Sequence, residues 1–164
     1  MVEPSEKPTF TAVLKNASGH TLSNSNVAEV CNSTPCVVDV NVESFGTGCT
    51  DATITVKEAN ASGHVIGTKT VTSSNVERIS LGNVTKNMDF VVEVSSSCGC
   101  LASDRYRINV LPTPTVSLVA EGSRIENGYI YVCPDSTADL KAIASSSAAI
   151  QEYKWFINDI QKTS

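Results

Sequence analysis

The chain has few of the residues from which enzyme sites and charged interfaces are usually built. Only two histidines and one tryptophan are present, and charged residues make up 18% of the chain, below the quarter that is usual for soluble domains. The formal net charge is −5 and the Lys and Arg residues are dispersed, so no basic patch for nucleic acid or an anionic membrane is predicted. No apolar run reaches the roughly 18 residues of a membrane-spanning helix.

Recognisable catalytic patterns are also missing. The sequence contains no Gly-x-Ser-x-Gly elbow, no glycine-rich phosphate loop and no His-Glu-x-x-His zinc motif. The carboxylates Asp51 and Glu58, or Asp135 and Asp139, would work as an acid–base pair only if folding brought them together. We therefore predict no catalytic residue, no cofactor and no metal ligand, and a function other than catalysis.

What the chain has in abundance is serine, threonine and valine, a composition typical of β-sheet. Short alternating runs recur about every ten residues between turn signals, which predicts an all-β sandwich or barrel. The predicted strands are residues 9–15, 36–44, 51–59, 65–73, 76–84, 87–97 and 104–112. This inventory indicates an immunoglobulin-like antiparallel β-sandwich over residues 8–111.

The segment "LPTPTVSL", residues 111–118, predicts a domain boundary, because its prolines cannot donate to a sheet ladder. After it the pattern restarts: "VCNSTPCVVDVNV" (30–42) matches "VCPDSTADLKAIA" (132–144) at an offset of 102 residues. We interpret this as a tandem repeat, with residues 112–164 forming a partial second domain, truncated after strands A to C. Such a unit should be poorly stable or should dimerise through its unpaired sheet edge.

The pentapeptide "NASGH" occurs twice, at residues 16–20 and 60–64, and holds both histidines, His20 and His64. Asn and Gly tolerate positive φ, and Asn and Ser side chains bond nearby backbone groups, so the pattern predicts a hairpin turn. A shared metal site would require the two tips to meet. The Asn-x-Ser/Thr triplets are about as frequent as chance allows, and they begin at Asn16, Asn32, Asn60 and Asn83.

Six cysteines favour an oxidising compartment, whereas buried free thiols in a cytosolic protein are the alternative. The disulfide candidates are Cys31, Cys36, Cys49, Cys98, Cys100 and Cys133. In a sandwich the loops after strands B and F lie close together, which brings Cys49 near Cys98 or Cys100. Cys31 and Cys36 could close a small local loop, and Cys133 is the repeat equivalent of Cys31. The full pairing stays open, because six cysteines allow fifteen connectivities.

Residues 132–159 combine a Val-Cys-Pro entry, an alternating strand, a Ser/Ala-rich loop and Tyr-x-Trp-Phe-x-Asn. This stretch resembles the immunoglobulin-like or PKD-like repeats of Bacteroidetes cell-surface proteins, including gliding-motility adhesins and proteins of the type IX secretion route. The resemblance implies an extracellular array of modules of about 100 residues, used as spacer and for adhesion. Neighbouring repeats of the same chain would then be partners, along with a surface glycan or protein ligand.

The sequence therefore predicts a non-enzymatic structural or adhesive segment of a large bacterial surface protein, located outside the cell or on its surface. Two other functions remain open. One is a ligand- or glycan-binding accessory module of a secreted enzyme, and the other is an immunoglobulin-like decoration domain of a phage virion.

Overall fold

The computed structural model describes residues 6–121, 123–146, 149–150 and 152–162, and every regular element among them is a β-strand. The chain divides into two compact units, Met1–Leu111 and Pro112–Ser164. Within the described residues there is no helix with the length and apolarity needed to cross a membrane.

The first unit contains nine strands in two sheets. The strands are β1 (Thr9–Asn16), β2 (Thr21–Ser23), β3 (Val27–Cys31), β4 (Thr34–Ser44), β5 (Ala52–Glu58), β6 (Val65–Val71), β7 (Val76–Val84), β8 (Met88–Ser96) and β9 (Leu101–Leu111). One sheet has the order β2-β1-β4-β7 and the other the order β3-β9-β8-β5-β6. All pairings are antiparallel except that of β3 with β9, which is parallel.

The core lies between the two sheets and follows from the period-2 alternation of their central strands. Val38 and Val40 of β4, and Ile54 and Val56 of β5, are all fully buried. Phe90 of β8 is the largest fully buried side chain and stacks on Tyr106 of β9, with ring centroids 5.5 Å apart. These contacts confirm the all-β sandwich that the sequence predicts.

Two strands of the first unit were not predicted, β2 and β3. The segment between His20 and Val27 is rich in Ser and Asn, which normally indicates a loop. β3 forms because Ala28 and Val30 can enter the core while its backbone pairs with β9. The pairing of β4 with β1 and β7, and of β8 with β5 and β9, is compatible with an immunoglobulin-like order of strands, which stays a prediction.

The second unit consists of paired short strands. They are β10 (Thr115–Glu121), β11 (Arg124–Glu126), β12 (Tyr129–Tyr131), β13 (Asp139–Ser145), β14 (Trp155–Ile157) and β15 (Ile160–Lys162). β10 pairs with β13, β11 with β12, and β14 with β15. Asn158 and Asp159 adopt positive φ, and the chain turns back there so that β14 and β15 form a hairpin.

Candidate functional site

Both copies of "NASGH" form hairpin turns, as predicted. The first joins β1 to β2 and the second joins β5 to β6. In the first turn Asn16 Oδ1 accepts a hydrogen bond from the His20 backbone N–H at 2.9 Å. In the second, Asn60 Oδ1 accepts from the backbone N–H groups of Ser62 and Gly63, both at 3.1 Å. Each asparagine side chain therefore stabilises the turn in which it lies.

One disulfide joins the two loops that the sandwich geometry brings together. Cys49 lies in the loop between β4 and β5, Cys98 lies in the turn between β8 and β9, and the two are bonded with Cα atoms 5.6 Å apart. The prediction that Cys49 meets this turn is confirmed. Cys100 lies in the same turn, half-buried, and its backbone N–H donates to Ser96 Oγ at 3.3 Å.

The predicted local loop between Cys31 and Cys36 does not form. Cys31 ends β3 in one sheet and is an exposed free thiol, whereas Cys36 belongs to β4 in the other sheet and is 1% exposed. Cys36 faces the core because it shares the inward alternation of Val38, and burial raises the pKa of its thiol. Cys133 of the second unit is also an exposed free thiol.

A cluster of three charges lies on the outer face of the four-stranded sheet. Asp39 in β4 receives two hydrogen bonds from Arg78 in β7, from Nε at 2.7 Å and from Nη2 at 2.9 Å. Lys15 Nζ in β1 lies 2.9 Å from Asp39 Oδ2. The Asp39 side chain is only 7% exposed between these partners. The bonds from Arg78, opposed by desolvation and aided by Lys15, lower the pKa of Asp39 to about 2.

The candidate ligand site of the first unit is an open polar cleft of about 370 Å³ at the end of the sandwich remote from the disulfide. It lies between the end of β5 and the turn that connects β7 to β8. Polar side chains dominate its lining, which comprises Glu58, Asn60, Asn83, Thr85, Lys86, Asn87 and Asp89. Its apolar lining residues are Ala59, Leu81, Val84 and Met88.

Several polar groups of the cleft are held by bonds within the protein. Asn60 Nδ2 donates to Glu58 Oε2 at 2.6 Å, and Asn87 Oδ1 accepts from the Val110 backbone N–H at 2.8 Å. Arg107 donates twice to Asp89, at 2.7 and 3.0 Å, and these bonds hold the pKa of Asp89 below its usual value. The cleft thus offers fixed oxygen acceptors, and Lys86 contributes a basic side chain to its lining.

The polar side chains of the cleft can donate and accept hydrogen bonds to a polar ligand. The lining contains neither His nor Cys, so no nucleophile and base of those types meet there. Asp51 and Glu58, the carboxylate pair considered from the sequence, flank opposite ends of β5 and are about 20 Å apart along the strand. Within the described residues no three His, Cys, Asp or Glu side chains form a group that could hold a metal ion.

Sequence reasoning missed both the charge cluster and the cleft. Asp39 could have been noticed in the sequence, since it is a lone acid among the valines of residues 37–40, but its partners become visible only once the strand register is known. Lys86, Asn87 and Asp89 give no signal, because polar residues around a strand start are expected in any turn.

The comparison with known proteins assigns the chain to no family. The chain matches no family model, and no curated protein matches it significantly.

Proposed function

We propose that this chain is an extracellular structural and adhesive segment of a large bacterial surface protein, in which β-sandwich modules follow one another and bear tension. It is not proposed to be an enzyme. The observation that carries the proposal is the parallel pairing of β3 with β9 in the first unit. This pairing ties the early part of the unit directly to its last strand.

The parallel pair is suited to resist a pull along the chain. Its register joins Val27 to Arg107 and Cys31 to Leu111. Tension that reaches β3 pulls it toward its N-terminal end, and tension on β9 pulls it toward its C-terminal end. In a parallel pair these directions are opposite along the strand axis, so the hydrogen bonds are sheared together instead of opening one at a time.

The disulfide supports an extracellular location. Cys49 lies in the loop that leads from the four-stranded sheet into β5, and Cys98 lies in the turn between β8 and β9 of the five-stranded sheet. Such bonds persist in oxidising environments and are rare where glutathione keeps thiols reduced. The bond also adds stability that a module outside the cell requires.

The proposed tandem repeat is supported by the order and register of the strands. β1 pairs with β4 so that Leu14 lies opposite Val38, and β10 pairs with β13 so that Ala120 lies opposite Leu140. In both units two further strands come between the members of the pair along the chain. The match between Val38 and Leu140 keeps the offset of 102 residues.

Single-molecule pulling on the whole chain, with handles at its two ends, tests the mechanical role. The Arg107 N–H donates to Asn26 O at 2.8 Å, and the alternation of a parallel ladder then directs the Val30 N–H, but not the Glu29 N–H, toward β9. We expect Val30→Pro to lower the unfolding force of the first unit much more than Glu29→Pro, because proline at residue 30 removes a ladder donor.

Two outcomes of this experiment would contradict the proposal. One is an unfolding force in the unmodified chain no higher than that of a sandwich pulled open strand by strand. The other is an equal loss of force in Val30→Pro and Glu29→Pro, since proline at residue 29 leaves the β3–β9 hydrogen bonds in place. Measuring the free energy of unfolding of both variants distinguishes a lower resistance to shear from a general loss of stability.

A second candidate function, glycan binding as an accessory module, is favoured by the polar cleft. Its amide and carboxylate oxygens and the Lys86 ammonium group are the kinds of donor and acceptor that bind sugar hydroxyls. A glycan array with the full chain tests this function. Binding that is lost in Asn83→Ala and Lys86→Ala but kept in Lys69→Ala, a change on exposed β6, would favour it over a spacer.

A further inference from the structure

Asn26, the residue before β3, extends the parallel ladder between β3 and β9. Its backbone C=O accepts a hydrogen bond from the Arg107 N–H at 2.8 Å, and its side-chain Nδ2 donates to the Arg105 C=O at 3.1 Å. In a parallel ladder, a residue uses its own N–H and C=O to bond the two residues that flank its partner. Asn26 makes both bonds around Tyr106, with its side-chain amide in place of its backbone N–H.

Asn26 lies at the end of the pair where a pull from the N-terminal side arrives. The register of the pair begins with Val27 opposite Arg107 and ends with Cys31 opposite Leu111. Tension on the N-terminal side of the chain reaches β3 through Asn26, whereas tension on the C-terminal side reaches β9 at its other end. On the side of β3, the two bonds of Asn26 are therefore the first of the ladder to be loaded.

Two serine side chains fix the segment that leads into this end of the pair. Ser25 Oγ accepts a hydrogen bond from the Val27 N–H at 3.3 Å and donates one to the Val27 C=O at 3.1 Å. Ser23 Oγ accepts from the Ser25 N–H at 3.0 Å. Here the chain passes from β2 in the four-stranded sheet to β3 in the five-stranded sheet. Because such local bonds restrict the backbone, Asn26 is held against β9 before any force is applied.

We propose that Asn26 transmits force between β3 and β9, because its side-chain amide adds a bond to the parallel pair at the point where tension arrives. This inference rests on the mechanical function proposed above and names a residue that determines the resistance to a pull. The Asn26 side chain is exposed, so it fills no part of the core. Asn26→Ala therefore removes the bond to the Arg105 C=O without leaving a cavity.

Single-molecule pulling on the full chain at constant force tests the proposal. With handles at the two ends of the chain, we expect Asn26→Ala to raise the unfolding rate of the first unit roughly fivefold, which corresponds to the loss of one hydrogen bond. The matched control is Asn24→Ala, which changes another exposed asparagine of the same segment and should leave the rate unchanged. Equal unfolding rates of these two variants would overturn the proposal.

The direction of the pull distinguishes force transmission from a general contribution to stability. Cys31 is an exposed free thiol at the far end of β3, so it can carry a handle once Cys133, which is also exposed, is replaced in Cys133→Ser. A pull between Cys31 and the C-terminal end draws β3 and β9 apart from the same end and reaches Asn26 last. In this geometry Asn26→Ala should unfold at the same rate as the chain with Asn26. Equal acceleration by Asn26→Ala in both pulling directions would show that the residue stabilises the fold without transmitting force.

Val30→Pro separates a failure of this inference from a failure of the proposed function. It removes a backbone donor of the same pair, so it should weaken the pair whether or not the Asn26 side chain contributes. If Val30→Pro accelerates unfolding under an end-to-end pull and Asn26→Ala does not, the role of Asn26 is wrong and the mechanical function stands. If neither variant accelerates unfolding, both are wrong.

Discussion

At the scale of single residues, the least expected feature is a carboxylate in the middle of an aliphatic strand. Asp39 lies between Val38 and Val40, both fully buried, and alternation turns it to the opposite face of the sheet. There Lys15 and Arg78 reach it from the two neighbouring strands. One acid thus connects three adjacent strands through side chains as well as through the backbone ladder.

Lowering the pH should reduce the free energy of unfolding of the first unit, because Asp39 becomes protonated. Its pKa is lowered from 3.8 to about 2, so its contribution to stability is complete above pH 4 and is lost as the pH falls toward 2. The contribution is on the order of 2 kcal/mol. Urea unfolding at a series of pH values should show this loss in the unmodified protein and a flatter profile in Asp39→Asn.

The matched control for this pH dependence is Asp89→Asn. Asp89 is also paired with an arginine, Arg107, but both side chains are exposed, at 42% and 55%. Exposed pairs contribute little to stability, so this variant should keep most of the acid sensitivity of the unmodified protein. If Asp39→Asn and the unmodified protein lose stability in parallel below pH 4, the assignment to Asp39 is wrong.

At the scale of elements, the two sheets come into close contact at β6 and β7. Gly67 in β6 faces Ile79 in β7, and a Cβ atom at residue 67 would lie 2.7 Å from Ile79 Cγ2. Ile79 is 4% exposed and belongs to the core, so it has little room to move. Because Gly67 has no side chain, β6 at the edge of the five-stranded sheet can pack closely against β7 of the four-stranded sheet.

Gly67→Ala should lower the free energy of unfolding of the first unit by about 1–3 kcal/mol, because it forces Ile79 out of place. Chemical denaturation measures the change. Thr68→Ala, at the next position of β6, is the control and should have a small effect. The double variant Gly67→Ala/Ile79→Leu, which lacks the Cγ2 methyl group at residue 79, should recover part of the loss, and additive destabilisation by the two changes would argue against this clash.

The strands that could be predicted are those whose residues carry their own pattern. β4, β5 and β8 each place an apolar residue at every second position, and their predicted bounds lie within two residues of the observed ones. β3 could not be predicted, since its five residues become a strand only through pairing with β9, about 80 positions later. Separation along the chain also hides the Asp39 cluster, whose partner Arg78 lies 39 residues away, and the polar cleft, because no single segment of the sequence determines the cross-strand register.

At the scale of the whole molecule, the covalent bond between Cys49 and Cys98 is the main constraint beyond packing. Replacing both cysteines by serine should lower the free energy of unfolding by about 2–4 kcal/mol, because the loop of 49 residues is then free in the unfolded chain. Urea unfolding measures the effect. Cys31→Ser, at an exposed free thiol, should leave stability unchanged. Equal stability of the double variant and this control would contradict the expectation.

The same bond also determines which part of the chain can carry force. Residues 49 to 98 form a closed covalent ring that contains β5, β6, β7 and β8. Force applied to the two ends of the chain is transmitted through the disulfide bond. The four strands inside the ring therefore carry no tension, even after the rest of the unit has unfolded. Reduction should therefore release about 17 nm of additional chain in one step. About half of the sandwich can therefore be extended only after a thiol reagent has reduced the disulfide, and not by tension alone.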